Sequence, residues 1–223
     1  AQIAGTPQTL AALTALVVDD AVAIPVTSWS GWAFTEFDGG LILESGAPYC
    51  FEAMNGMFFA AYERETDPSW ALVSFPGHYG GDYAAGAKLA AAQLGVGPPV
   101  VEIVQMPIAD AGTVDETVAR LLATQPEQMA LILTGLSAGG FTDFQVIGAS
   151  PTWNVALTAN AGLMTLLQEF YRQTAPWGGW DSDTEGHAAM RAAAEASGQT
   201  PNGGYVAGWI SQYPMLALLT EAV

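Results

Sequence analysis

The chain has little positive charge, one cysteine and no long apolar run. Among its 223 residues, 5 are Lys or Arg and 22 are Asp or Glu, so the formal net charge is -17. Such a surface repels nucleic-acid phosphates and anionic lipid head groups, so nucleic acid is not expected as a partner. With Cys50 as its single cysteine, the chain cannot form an internal disulfide. No apolar run approaches the roughly 20 residues of a membrane span, so this segment is not expected to insert into a membrane.

Strands and helices alternate between residues 70 and 148. Strands predicted at residues 70–75, 100–106 and 129–133 are each followed by a polar or Gly-rich turn and then a helix, the last ending at Gly148. This alternation predicts an α/β fold with a parallel sheet covered by helices. Ligands bind at the carboxyl ends of such strands, so the turns there are the first candidates for a site.

The flanking residues predict further elements. Before the alternating run we expect a helix at residues 10–18, strands at 21–26 and 41–50, and a helix at 55–65. After it we expect a strand at residues 153–157 and helices at 163–171, 184–196 and 205–222.

Four short motifs follow one another along the chain. They are Gly-Thr-Pro at residues 5–7, Ile-Pro-Val-Thr-Ser at 24–28, Tyr-Gly at 79–80 and Tyr-Val-Ala-Gly at 205–208. Their order resembles the ligand-binding proteins of branched-chain amino-acid-type ABC transporters, which have the type I periplasmic binding protein fold. The resemblance covers nearly the whole chain.

This resemblance implies two α/β lobes. Residues 1–66 would form part of the first lobe, 67–200 the second, and 201–223 a helix at the lobe boundary. The first lobe would be incomplete, because the chain begins about where the family's fourth strand lies and stops before the usual return to that lobe.

The resemblance also implies a function. The protein would be a receptor, not an enzyme, that closes on a small ligand without a cofactor and delivers it to the permease subunits of an ABC importer. It would be periplasmic or at the cell surface, with any lipid anchor lying in a segment outside this chain.

The candidate ligand-binding residues lie on the turns after predicted strands. They are Thr6, Ser28, Trp29, Ser30, Tyr79, Leu136, Ser137, Thr152 and Trp153. Hydroxyls and backbone N–H groups at helix starts can hold a carboxylate, and an aromatic ring can stack on a ligand. The alternative for Tyr79 is a packing role at the lobe boundary. The alternative for the Ser/Thr residues is an ordinary loop, where such clusters are common.

The same residues predict the chemistry of the ligand. They include no acid and no base, and burying an unpaired charge is costly, so a cationic ligand is disfavoured. Amino-acid binders of the family place an acid near the last of these turns, where this chain reads Ser-Pro-Thr-Trp at residues 150–153. We therefore expect a small, partly apolar ligand that is neutral or carries one carboxylate, with aromatic molecules included. An ordinary amino acid ranks second.

Two alternatives remain open. Residues 135–139 fit the G-x-S-x-G pattern of an α/β serine hydrolase with Ser137 as nucleophile. The pattern lacks well-placed partners, because His187 follows Asp181 and Asp183 by only six and four residues. These acids and Glu185 also lack the closing acid of a calcium loop, so no metal site is predicted. The second alternative is a purely structural assembly module.

Overall fold

The computed structural model describes nine stretches of the chain: residues 2–3, 5–33, 39–64, 69–104, 128–129, 139–140, 142–153, 161–200 and 202–221. The chain forms two compact units. Unit 1 contains Ala1–Ala47 and Pro176–Val223, and unit 2 contains Pro48–Ala175. Unit 2 is thus one continuous piece of chain, whereas unit 1 combines the two ends.

Unit 2 is built on a parallel sheet. Its described strands are β3 (Trp70–Ser74), β4 (Val101–Val104), β5 (Gln128–Met129), β6 (Gln145–Gly148) and β7 (Tyr171–Gln173), in the order β4-β3-β5-β6-β7. Every neighbouring pair is parallel. The order reverses beside β3, as in other doubly wound sheets. This arrangement confirms the predicted α/β class and its parallel sheet.

Helices cover both faces of this sheet. They are α2 (Tyr49–Arg64), α3 (His78–Leu94) and α4 (Ala161–Phe170). Trp70 and Leu72 pack in one buried cluster with α2 and α3, whereas Ala71 and Val73 pack in another with Leu167 of α4. Successive strand residues point to opposite faces, so the two clusters lie on opposite sides of the sheet.

The contact between α2 and α3 depends on small side chains. Ala87, Ala90 and Ala91 of α3 are buried in the shared cluster. A Cβ atom on Gly86 would collide with the Cys50 carbonyl oxygen of α2. Helix α3 ends at Gly95, whose φ of 72° is a left-handed conformation that glycine adopts without strain. Its small residues therefore let the two helices approach closely.

Unit 1 has much less sheet. Strands β1 (Gln2–Ile3) and β2 (Ile24–Pro25) pair in parallel, and Ala23 forms an isolated bridge with Ile42. The described helices of this unit are α1 (Thr6–Val18), α5 (Glu185–Ala196), α6 (Gly203–Ile210) and α7 (Gln212–Glu221). A buried cluster of Leu16, Ala23, Trp32 and Ile42 fixes α1 against the strands. In the described part of unit 1, packing around Trp32 therefore holds the elements together, whereas unit 2 has an extended hydrogen-bonded sheet.

Several predicted elements were wrong. Residues 41–50 are not a strand, because only Ile42 forms a bridge and α2 begins at Tyr49. Gln145–Gly148 is strand β6 and not the end of a helix, and Tyr171–Gln173 is strand β7. The final helix is interrupted at Ser211.

Other expectations stay predictions. The helix predicted between the strands at 100–106 and 129–133, and most of the strands at 129–133 and 153–157, lie outside the described residues. The lobe boundaries at 66 and 200 also stay predictions; the compact units divide the chain elsewhere, with α2 in unit 2.

Candidate functional site

Two strand-end turns lie side by side in unit 1. Because β1 and β2 pair in parallel, the start of α1 after β1 lies beside the turn that follows β2. The Thr6 hydroxyl donates a hydrogen bond to the Thr27 hydroxyl oxygen at 3.2 Å. Thr6 and Ser28 are both buried, with Ser28 only 5% exposed. Thr6 thus lies beside Thr27, the residue that precedes Ser28, and both Thr6 and Ser28 are buried.

Trp29 and Ser30 complete this turn. Ser30 begins a short 3-10 helix, Ser30–Ala33. The Trp29 ring meets the Trp32 ring edge to face, with centroids 5.1 Å apart, and covers Gly31. Trp32 Nε1 donates to the Thr27 carbonyl oxygen at 3.2 Å. Buried Trp32 therefore anchors the turn, and Trp29 remains half-buried above it.

Tyr79 lies on the first turn of α3 and not in the preceding loop. Its ring packs edge to face on Tyr49 at 4.9 Å and against the α2–α3 cluster. Burial is the main cause that raises the pKa of its hydroxyl, followed by smaller contributions from Tyr83 and Glu52. The neutral hydroxyl keeps its proton at all ordinary pH values. Tyr79 thus combines a packing role with a half-exposed position near the carboxyl end of β3.

The turn after β6 carries the remaining described candidates. It is the 3-10 turn Ser150–Thr152, followed by Trp153. The Thr152 hydroxyl donates to the Ala149 carbonyl oxygen at 2.6 Å, so it accepts from the Tyr171 hydroxyl at 2.7 Å. The Trp153 ring stacks on the Tyr171 ring with centroids 6.0 Å apart. Tyr171, on the neighbouring strand β7, therefore orients both Thr152 and Trp153.

A buried carboxyl group lies under this turn. Glu52 of α2 is 1% exposed, and it accepts two hydrogen bonds from Ser150: the backbone N–H donates to Oε2 at 2.8 Å and the hydroxyl to Oε1 at 2.9 Å. Burial raises the pKa of Glu52 to about 7, although the bonds from Ser150, and then Thr174, act in the opposite direction. This carboxyl group therefore titrates nearer to neutral pH than an ordinary glutamate.

Solved structures of transport proteins are similar to this chain. A fatty acid ABC transporter substrate-binding protein from Thermomonospora curvata superposes with a TM-score of 0.75 at 20% identity, over 94% of this chain and 55% of that one. A branched-chain amino acid ABC transporter protein from Thermus thermophilus with bound valine gives a TM-score of 0.69 at 18% identity, over 94% and 56%. An R. palustris solute-binding protein in complex with benzoate gives 0.69 at 13% identity, over 93% and 58%.

These likenesses decide the fold. The chain has the type I periplasmic binding protein fold. It spans a little over half the length of these solved structures. No protein-family model and no curated protein matches the sequence.

The hydrolase alternative gains no support from this fold. Leu136 and Ser137 lie outside the described residues. His187 lies in the first turn of helix α5, which Thr184 caps: the His187 backbone N–H donates to the Thr184 hydroxyl at 3.2 Å, and its Nδ1 lies 2.7 Å from that same oxygen. The contacts of His187 are thus those of a residue at the start of a capped helix.

The described stretches contain no cluster of three or more His, Cys, Asp or Glu side chains suited to a metal ion. Within the same stretches, every helix is too short or too polar to span a bilayer.

Sequence reasoning did not identify two residues that support the turn after β6. Tyr171 was placed at the end of a helix, and Glu52 lies 98 residues before its partner Ser150. A signal for Glu52 was present, because it falls on the face of α2 that also carries the buried Tyr49 and Ala53. An acid on the apolar face of a helix needs a buried partner. An acid therefore lies beside this turn, even though residues 150–153 contain none.

Proposed function

We propose that this chain is part of an extracytoplasmic solute-binding receptor that delivers a small organic carboxylate, or a neutral analogue, to an ABC importer. The observation that carries the proposal is the pair of strand-end turns, each combining neutral hydroxyls with an indole, on a type I periplasmic binding protein fold. Binding at the carboxyl ends of parallel strands is the rule for such sheets.

The ligand class follows from the chemistry of these turns. In unit 2, the Trp153–Tyr171 stack offers a flat apolar surface. In unit 1, the Ser28 hydroxyl offers a hydrogen bond without charge. None of the described candidate residues is positively charged, so a carboxylate would be held by hydroxyls and N–H groups. The titles of the similar structures name a fatty acid, valine and benzoate, which all carry a carboxylate.

The partner and the location are part of the same proposal. Receptors of this fold work outside the cytoplasmic membrane, so we place this protein in the periplasm or at the cell surface, with permease subunits as its partner. We propose no enzymatic activity and no cofactor.

A thermal-shift and tryptophan-fluorescence screen of the full-length protein tests the proposal. The probes are benzoate, valine, palmitate, neutral benzamide and cationic lysine. We expect benzoate or palmitate to raise Tm, as any ligand that binds only the folded state does. Trp153→Ala should weaken benzoate binding about tenfold, since a stacked aromatic pair contributes about 0.5–1.5 kcal/mol beyond area burial. Trp209→Ala, which removes an indole from α6, is the matched control and should leave Kd unchanged.

Three results would contradict the proposal. Tight lysine binding that survives both Tyr79→Ala and Trp153→Ala would place the pocket elsewhere. Ester hydrolysis that disappears in Ser137→Ala would establish the hydrolase. If none of the probes changes Tm, a structural assembly module becomes the better description.

A further inference from the structure

Glu52 holds the beginning of the turn that carries Thr152 and Trp153. Its two carboxyl oxygens accept the backbone N–H and the hydroxyl of Ser150, at 2.8 and 2.9 Å. A carboxylate that accepts two bonds from one residue fixes both the position and the orientation of that residue. Two residues further on, Thr152 accepts the bond from Tyr171.

Both protonation states of Glu52 are compatible with this geometry. An ionised carboxylate accepts both bonds. A neutral carboxyl group accepts the N–H at Oε2 and donates from Oε1 to the Ser150 hydroxyl, whose own proton rotates away. The turn is held in either state, so the main difference between the states is one buried negative charge.

The surroundings of Glu52 do not neutralise that charge. The titratable groups that face it are the hydroxyls of Tyr79 and Tyr83 from α3 and of Tyr171 from β7. Arg172 of β7 is exposed and donates to backbone carbonyl oxygens, and Asp82 of α3 accepts from the Cys50 N–H. In the described part of the chain, no hydrogen bond or ion pair joins Glu52 to a positive group.

The charge of Glu52 nevertheless reaches the candidate ligand residues. It contributes to the raised pKa of Tyr79 and of Tyr171, the residue that orients Thr152 and Trp153. An anionic ligand near these hydroxyls would experience the same field. Burial of Glu52 raises its pKa to about 7, so the charge appears and disappears across neutral pH.

We propose that Glu52 is a positioning residue for ligand binding by unit 2, which fixes the Ser150–Thr152 turn and makes carboxylate affinity depend on its own proton. The affinity part rests on the proposed function. Because proton and anion binding are linked, a carboxylate favours neutral Glu52, and neutral Glu52 favours the carboxylate. Carboxylate affinity therefore falls as pH rises through about 7.

The positioning part is tested without any ligand. Amide hydrogen exchange at Ser150 and Thr152, the two residues of the turn that have a backbone N–H, is compared in the wild type, Glu52→Gln and Glu52→Ala. A Gln amide reproduces the neutral carboxyl group, since its oxygen accepts the Ser150 N–H and its NH₂ donates to the hydroxyl. We expect protection in the wild type and in Glu52→Gln, and at least tenfold faster exchange in Glu52→Ala. Unchanged protection in Glu52→Ala overturns the positioning role. If Glu52→Ala does not fold, loss of protection in Glu52→Gln overturns it.

Thermal stability measured as a function of pH tests whether the folded state binds the Glu52 proton more tightly than the unfolded state. A pKa raised from 4.5 to about 7 means that the folded state binds the proton more tightly. Its contribution to stability is fully present below about 4.5 and is lost as pH rises through about 7. The Tm of Glu52→Gln should therefore exceed that of the wild type by several degrees at pH 8.5, with the difference shrinking towards pH 5. The control Glu63→Gln, at an exposed site on the same helix, should show no such change. A pH-independent Tm difference overturns the proton linkage.

The affinity part is tested with benzoate between pH 5.5 and 8.5, where this probe stays ionised. We expect its Kd in the wild type to rise roughly fivefold or more across this range, and to stay flat in Glu52→Gln. Neutral benzamide is the control and should show no pH trend in either protein. Equal pH slopes for benzoate in the two proteins overturn the linkage. If benzoate and benzamide bind neither protein, the ligand class of the proposed function fails, whereas the exchange experiment still decides the positioning role.

Discussion

The two units support similar turns by different means. In unit 1, the turn after β2 is held by neutral groups: a bond between Thr6 and Thr27 and the indole N–H of Trp32. In unit 2, the turn after β6 is held by a buried carboxyl group. Two turns that both carry hydroxyl groups and indole rings can therefore respond differently to pH, because only a titratable supporting group links the turn to a proton. Beneath the turn of unit 2 lies Glu52, an acid of raised pKa.

The largest expected effect tests how far unit 1 depends on one side chain. Trp32 is 4% exposed, belongs to the buried cluster with Leu16 and Ile42, and donates to the turn. Trp32→Ala should lower the free energy of unfolding by about 4 kcal/mol, through lost burial and the cavity left behind. Denaturant unfolding measures the loss, and hydrogen exchange shows whether unit 1 loses more protection than unit 2. Trp32→Phe, which keeps an aromatic ring, should cost less. Equal loss of protection in both units would contradict the separate support of unit 1.

A smaller effect tests the close contact in unit 2. A methyl group on Gly86 would collide with the Cys50 carbonyl oxygen, so α2 and α3 must move apart. Gly86→Ala should therefore destabilise the protein by about 2 kcal/mol, in spite of the better helix propensity of alanine. The control is Gly81→Ala on the same helix, where the added methyl group meets nothing within 4 Å. That variant should be stabilised by about 0.5–1 kcal/mol. Stabilisation by both substitutions would show that the helix contact tolerates more volume than its geometry indicates.

The smallest effect returns to unit 1. Thr184 is the N-cap of α5, and its hydroxyl accepts from the His187 N–H. Thr184→Ala should cost about 1 kcal/mol, as for other lost N-caps. Thr220→Ala, at an exposed position within α7, should change stability little. Urea midpoints at a constant m-value give both numbers. A larger loss for Thr220→Ala than for Thr184→Ala would contradict the capping role.

The sequence predicted those parts of the fold that have local signals. Strand β3 is an unbroken apolar run, α3 stops at Gly95, and α5 begins after the capping Thr184. Strand β7 lacked such a signal, because it follows α4 directly at Tyr171 without an intervening Gly or Pro. Its residues become a strand only because β6 offers hydrogen bonds on that side.

The candidate site divides in the same way. Thr6 and Ser28 were predictable because parallel strands place their carboxyl ends together. The pair of Glu52 and Ser150 was not predictable from local pattern, because it joins residues 98 positions apart. Whether the predicted residues contact a ligand stays a prediction.

The discontinuity of unit 1 has a consequence for the order of folding. Pro48–Ala175 contains every residue of unit 2, so this unit can form while the chain is still being synthesised. Unit 1 needs Pro176–Val223, which leaves the ribosome after unit 2. Bringing two parts of a chain together across a long unfolded segment costs conformational entropy. If unit 2 has already folded, that segment is compact, and this cost is smaller when the two parts of unit 1 meet. During synthesis, the Glu52–Ser150 contact of unit 2 can therefore exist before unit 1 is complete.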